Sequence, residues 1–321
     1  MKLALALLLA LLAVVSAASS LAPNAPAARF NGLLNAPPTP VHLRDAAGQW
    51  HAPFIHPLKR LSQLEQTYQE DTSAIVPLRW FSAGRLVQSS QPEAAPLLIL
   101  GADAFGRDVF SRTLHGGRLS LGIALIAALG AVLIGVLVGS LAGYTGGLLD
   151  DVLMRTSDMI LVLPTMYVVM VLRAALPLVL SPVVIFALLT GLFAIVGAPI
   201  LARTVRGVVR SERTLEYAAA AQSLGASAPR VLFRHLVPAA AGLVLIEAMM
   251  LVPGFVVAEA TLSFVGFGFP DTVATWGTML HEASNVRALA DFPWLFAPAV
   301  AIFVVVLGIN AGISRRHGLT V

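Results

Sequence analysis

Glu247 and Glu259 are carboxylates in an apolar setting: the first lies in the middle of the run Leu236–Ala258 and the second at its far end. An ionised carboxylate in hydrocarbon is costly unless protonated or paired, so such a residue is a candidate for lining a transport path. A hydrogen-bonded contact between helices is the alternative. Proton-coupled carriers spread several such groups over several helices, and here Glu247 is the one clear case. Other reactive chemistry is thin. The chain has no cysteine, which excludes disulfides, thiol catalysis and thiolate metal sites. Lys2 and Lys59 are its two lysines and neither follows a glycine, so it has no Gly-Lys-Ser/Thr phosphate cradle with which to hydrolyse ATP. His51 and His56, in "HAPFIH", lie five apart with no nearby acidic partner, which is not a metal-ligand pattern. No catalytic, cofactor-binding or metal-ligating residues are therefore expected in the chain.

The most distinctive polar stretch is "EYAAAAQSLGASAPRVLFRHLVP", Glu216–Pro238. Four consecutive alanines lose no side-chain entropy in a helix, and Glu216 stands near its positive N-terminal end. Gly225 is placed to stop that helix in the left-handed conformation. Ser227 is positioned as the next N-cap, with Pro229 tolerated in the following turn, and Arg230 and Arg234 fall on one face at i, i+4. The spacing predicts a short helix–turn–helix on a membrane surface. Its alanine face suits docking into another protein better than lying among lipids, where bulky Trp, Phe or Leu would be expected.

These residues must be positioned by membrane helices. Of the 321 residues 57% are hydrophobic and 12% charged, against roughly 25% charged in soluble domains, and the mean hydropathy is +0.83. The 21 basic residues give a net charge of +4 but are not massed on one face, so nucleic acid is not expected as a partner. Six stretches approach the roughly 20 apolar residues a spanning helix needs: Leu3–Ala22, Leu119–Gly143, Met159–Leu180, Pro182–Ala202, Leu236–Ala258 and Phe292–Ile313. The first reads either as a cleavable signal peptide or as an anchor. The third contains Pro164 and Arg173, which predict a kink and an early exit. With Lys2 inside, the inner segments hold Arg155, Arg203, Arg206, Arg210, Arg213, Arg230, Arg234, Arg315 and Arg316, whereas the two short outer ones hold Arg173 and Arg287.

Two further features concern packing. Gly135, Gly139 and Gly143 recur every four residues, and Ala127 and Ala131 extend the same face. Small residues let a second helix approach closely, although the partner is not specified. Residues 23–118 read as a different material: "APNAPAARF" and "NAPPTP" suggest extended chain, "LSQLEQTYQED" looks helical and "IVPLRWF" strand-like.

In the Glu216–Pro238 stretch the chain resembles the permease subunits of ABC importers. Their cytoplasmic coupling loop reads Glu-Ala-Ala, three residues, Gly, nine residues, then a hydrophobic-x-Leu-Pro. Gly225 and Pro238 hold that framework and Ala220–Ala221 supply the alanines, whereas Ala219 stands at the glutamate and Val237 at the leucine. Glu216–Tyr217 match an acidic residue and tyrosine found three residues earlier in related permeases. More specifically, the chain is similar to the second permease subunit of dipeptide and oligopeptide importers. The quoted matches are "LGADAFGRDVFSR", "GGRLSL", "AGYTGGLLDDVLMRTSDMIL", "SLGASAPRVLFRHLVP", "AEATLSFVGFGF" and "WGTML", over about residues 98–310. The enlarged segment after the first stretch resembles a subset of these permeases. The ending "AGISRRHGLTV" departs from the family's usual Gly-Asp-Gly-Leu-Arg-Asp.

The resemblance implies an all-α membrane protein, a polytopic bundle of about six transmembrane helices of the type-1 ABC importer kind, with a small mixed external segment. It implies an anchor at 1–22, an external segment at 23–98, a transmembrane domain at 99–314 with the coupling loop 203–238, and a cytoplasmic tail at 315–321. It further implies the bacterial inner membrane with both termini cytoplasmic, and a partner permease subunit. Two ATPase subunits that bind ATP and Mg, and an external binding protein, complete the expected complex. Glu216, Tyr217, Ala219, Ala220, Ala221, Gly225, Arg230, Arg234 and Pro238 would form the ATPase-coupling surface. The implied cargo is a short peptide; nickel or another small solute is the alternative within the same role. An ion-coupled secondary transporter would show inverted repeats, and a membrane-anchored scaffold would not need the arginine-rich inner loop.

Overall fold

The computed structural model describes residues 2–45, 48–62, 65–175, 180–284 and 290–314. Arg287 and the tail 315–321, with Arg315 and Arg316, lie outside the described residues, as does the side chain of Arg173. In chain order the described helices are α1 (Lys2–Ser16), α2 (Ala18–Leu21), α3 (Val109–Thr145), α4 (Gly147–Val162), α5 (Thr165–Ala175), α6 (Pro182–Glu212), α7 (Glu216–Ser223), α8 (Ala228–Val231), α9 (Val237–Phe264), α10 (Trp276–Glu282) and α11 (Ala297–Ser314). Between α2 and α3 lie six strands: β1 (His42–Arg44), β2 (Trp50–Ile55), β3 (Leu58–Arg60), β4 (Tyr68–Glu70), β5 (Val76–Ser82) and β6 (Arg85–Ser89). Hydrocarbon offers the backbone no hydrogen-bond partners, so apolar runs of this length close their bonds internally as helices.

Among the described residues four helical segments are long and apolar enough to span: Val109–Thr145, Pro182–Glu212, Ala228–Phe264 and Pro293–Ile313. A bent pair brings the number to five, against the six expected. The first stretch forms 15 residues of α1 and stops at Ala17 before the short α2. The third is broken where the kink is expected: Gly147–Val162 and Thr165–Leu172 meet at 84°. Pro164 has no N–H to donate, and it holds Leu163 in an extended conformation (φ −73°, ψ 119°) that ends α4.

The chain divides into two compact units. The first comprises Ala6–Ser120 and Ser263–Val306. Its strands form an antiparallel sheet in the order β1-β2-β5-β6 and a separate hairpin β3-β4, over a core of Ile55, Val76, Leu78, Ala95 and Leu97. The "IVPLRWF" stretch is β5, as its alternation suggests. The helical look of "LSQLEQTYQED" is overridden: Tyr68–Glu70 pairs with Leu58–Arg60. Gln66 takes φ 51° at the turn, and Leu61 N–H donates to Thr67 O at 2.9 Å. Ladder hydrogen bonds there outweigh weak helix propensity. The strands also give the histidines acidic neighbours: His51 Nε2 lies 2.8 Å from Asp45 Oδ2, six residues earlier, and His56 lies beside His42 and Glu70.

A buried ionic cluster ties the chain before α3 to α10. Arg107 Nε donates to Asp103 Oδ2 at 2.7 Å and its Nη2 to Glu282 Oε2 at 2.5 Å; Arg112 Nη2 donates to Glu282 Oε1 at 3.0 Å. Asp103, Arg107 and Arg112 are buried, and such a cluster tolerates loss of a partner poorly.

The second unit comprises Met1–Leu5, Leu121–Leu262 and Leu307–Val321. Here the small face of α3 meets α6. A Cβ on Gly130 would stand 2.8 Å from Ala194 Cβ, one on Gly135 2.8 Å from Ala198 O, and one on Gly143 2.7 Å from Arg206 O. At Gly139 it would collide with Ala202 O and lie 2.9 Å from Val205 Cβ. The unspecified partner of the glycine stripe is therefore α6. On its other side α6 passes α9, where Phe193 stacks on Phe255 with ring centroids 5.3 Å apart.

Replacing Gly139 by leucine should force α3 and α6 apart, at about 1–3 kcal/mol or more. Gly207→Leu, at an α6 position where an added Cβ meets nothing within 4 Å, should be near neutral. Thermal unfolding in detergent compares the two; equal midpoints would refute the close-packing account.

Candidate functional site

The polar stretch singled out above stands on a longer base than expected. α6 continues past Ala202 to Glu212, and its arginines find partners on α4 and α3. Arg206 grips Asp150 with both Nε and Nη2 (the latter at 2.6 Å), and Arg203 pairs with Asp158. Arg210 Nη1 lies 3.8 Å from Asp150 Oδ2, and the Arg213 guanidinium donates to Tyr144 O. Asp150 is buried. This bidentate pairing fixes α4 against α6 more firmly than a single contact would.

After a turn at Arg213–Leu215 the chain enters α7, whose alanines divide by helical period. Ala218 is fully buried among Val205, Val209, Val231, Leu232, Leu236 and Ala240, and Ala221 packs at the edge of the same cluster. Glu216, Ala219 and Ala220 face outward. Gly225 ends α7 at φ +85°, with Gly225 N–H donating to Gln222 O at 2.9 Å and Ala226 N–H to Ala221 O at 3.0 Å. These are the two bonds of a Schellman motif. Ser227 does occupy the next N-cap position, but its side chain makes no capping bond. α8 then passes into a π turn at Leu232–Leu236, closed by Val237 N–H on Leu232 O. Pro238 explains the wider turn: it lacks an N–H, and its ring would crowd the carbonyl four residues back, which a π turn relieves. Arg230 and Arg234 are both exposed across it.

The outward surface is more apolar than an alanine face. Leu224, at the tip, is 89% exposed, and Leu215, Tyr217 and Phe233 are exposed as well. Tyr217 Oη donates to Glu212 Oε2 at 2.6 Å, which pushes the phenol up to about 12. Of the two membrane carboxylates, Glu259 is fully buried and has a partner. Glu247 accepts from Thr204 Oγ1 of α6 at 2.5 Å, while its Oε2 is buried without a hydrogen bond among the described residues.

Over residues 135–317 the sequence matches the family described as binding-protein-dependent transport system inner membrane component. The chain belongs to this family. It is a multi-pass membrane transport subunit, and its relatives are permeases. It is 39% identical over 211 residues to the oligopeptide transport system permease protein OppC of Bacillus subtilis, covering 65% of this chain and 67% of that one. It is 38% identical over 220 residues to a probable peptide ABC transporter permease protein of Sinorhizobium fredii (68% and 72%). To the dipeptide transport system permease protein DppC of B. subtilis it is 35% identical over 210 residues (65% and 64%).

Within this permease, α7, Gly225, α8 and Pro238 form one continuous surface feature, while Glu247 and Glu259 belong to the α9 span rather than to it. Sequence reading missed Asp150 and Asp158 as partners of the α6 arginines and Leu224 as a protruding side chain. The doubled aspartate after Gly146–Gly147 was the available signal for the first; nothing marked the second.

Ala218→Leu should overpack the enclosed cluster, at about 1–3 kcal/mol, and expose the loop to trypsin at Arg213 or Arg230. Ala220→Leu, on the outward side, should leave the digestion rate unchanged. Equal protection of both variants would show that Ala218 does not anchor α7.

Proposed function

We propose that the permease forms half of the path of an ATP-driven, binding-protein-dependent importer of di- or oligopeptides, with a second permease subunit forming the other half. The loop 203–238 is the surface on which one cytoplasmic ATPase acts. ATP and Mg belong to two ATPase partners, and this chain contributes no catalytic residue. An external binding protein delivers the cargo. The peptide assignment is supported by the names of the relatives. The coupling assignment is supported above all by one observation: a protruding apolar tip, Leu224, sits on a helical turn welded to α6 and the start of α9 through Ala218. Burying one leucine side chain is worth about 1.5–3 kcal/mol, so Leu224 is an effective anchor in a partner's groove. Movement of the docked loop would be carried into the spans as a rigid-body switch.

The proposed topology has six crossings, α1–α2 providing the first, with both termini cytoplasmic and residues 23–98 external. Glu247 and Glu259 are proposed to face the path in another state of the cycle.

Three measurements test this reading. In membranes holding the assembled complex, labelled di- and tripeptides should be taken up and should stimulate ATP hydrolysis, while Ni²⁺ should do neither; Ni²⁺ uptake instead of peptide uptake would transfer the permease to metal import. Leu224→Asp should weaken the ATPase association roughly tenfold or more with the chain still folded. Because the sequence has no cysteine, single-cysteine labelling gives the topology directly. Gln91→Cys should react from outside, and Ser223→Cys only after permeabilisation. Reaction of Ser223→Cys in sealed cells would overturn the coupling role.

A further inference from the structure

The strands of the first unit gather three side chains that the sequence keeps apart: His42 on β1, His56 just past β2, and Glu70 on β4. Register brings the histidines together. His42 stands opposite Phe54 in the antiparallel β1–β2 pair, and His56, two residues beyond Phe54, shares its face. The two imidazole rings are 5.1 Å apart. The hairpin brings the acid: Leu58 stands opposite Glu70, and Asp71 N–H donates to Pro57 O at 2.8 Å, so β4 returns beside the chain that has just left His56. One ligand atom from each of the three residues lies within 4.8 Å of the others.

We propose that His42, His56 and Glu70 form a binding site for a divalent transition-metal ion, with Zn²⁺ the best-matched candidate. The second shell is already in place. His56 is buried, and its Nδ1 donates to Ala74 O at 2.7 Å. That bond leaves the Nε2 lone pair available and fixes the ring, as the outer hydrogen bond of a metal-bound histidine does. Phe54, itself buried, closes one side with its ring 5.7 Å from His42 and edge-on to His56 at 5.3 Å. His42 Nε2 and Glu70 Oε2 are 2.7 Å apart as a hydrogen-bonded pair. A tetrahedral zinc with bonds of about 2.0–2.1 Å separates its ligand atoms by about 3.3 Å. The ion would take the place of the shared hydrogen while the pair opens slightly and the imidazole carries its proton on Nδ1.

Two imidazoles and one carboxylate suit zinc, nickel, copper or iron, whereas magnesium and calcium prefer all-oxygen shells. Three protein ligands leave a fourth position for water. The site has an evident structural use. The sheet β1-β2-β5-β6 and the hairpin β3-β4 share no strand, and a chain without cysteine has no disulfide to join them. Lys59 and Asp71, 2.7 Å apart, help close the hairpin. A metal held by His42, His56 and Glu70 would clasp hairpin to sheet. This inference is independent of the transport reading.

Calorimetric titration of the untagged full chain in detergent, stripped by a chelator, tests it. Zn²⁺ should bind at one ion per chain, and Mg²⁺ should give no saturable heat. Because His56→Ala empties a buried position and could unfold the sheet, the decisive variants are His42→Ala and Glu70→Gln, each expected to weaken binding roughly tenfold or more. His51→Ala should bind as the unaltered chain does. No saturable Zn²⁺ binding, unchanged affinity in both decisive variants, or an equal loss in His51→Ala would each overturn the proposal.

Discussion

The enclosure of one methyl group, that of Ala218, determines what the loop 203–238 can be. Around it close Val205 and Val209 from α6, Val231 and Leu232 from α8 and the π turn, and Leu236 and Ala240 at the entry to α9. A larger side chain does not fit and a polar one would lose its water, so only a small apolar residue lets α7 lie flat on this base. A short isolated helix of eight residues has little stability of its own; α7 is helical because tertiary packing holds it. Once held, α7 shares one enclosed cluster with α6 and the start of α9. A loop that flexed at this contact would dissipate any force applied at Leu224.

The base itself is held by two unlike interactions along α6. Toward α3, glycines at 130, 135, 139 and 143 remove side chains so that backbones touch, which gains dispersion contacts where lipid supplies no hydrophobic driving force. Toward α4, Arg206 and Arg203 reach Asp150 and Asp158. Beyond its apolar residues α6 runs on beside α4, where Arg206 is held by the buried Asp150 through two hydrogen bonds.

Much of this was legible, and what was not has identifiable causes. Gly225 in the left-handed conformation and the helix before it follow from local chemistry, since four alanines and a glycine specify their own geometry. Which alanine faces inward did not, because Ala218–Ala221 are chemically identical and only the surrounding cluster distinguishes them. The glycine stripe announced close packing without naming α6, for the same reason: small residues carry no code for their partner. The helical reading of "LSQLEQTYQED" failed where propensity is weakest against pairing, and the distance between His56 and its acid could be closed only by strand register. The break at Leu163–Pro164 was foreseen as a kink, but a proline fixes the site of a bend and not its angle, which the neighbouring helices decide.

Ala219 then takes on a meaning the family pattern alone did not give it. The glutamate usual at that position would point outward from α7 and offer a partner a charge. Here the outward face offers alanine at 219 and 220, with Leu224 at the tip and Phe233 beyond it. A docking surface that loses a charged contact keeps its affinity only by burying more apolar area, and Leu224 is the side chain with the most left to bury. In the proposed docking, alanine at 219 would make association less sensitive to ionic strength, because an apolar contact is not screened by salt whereas an exposed ion pair is.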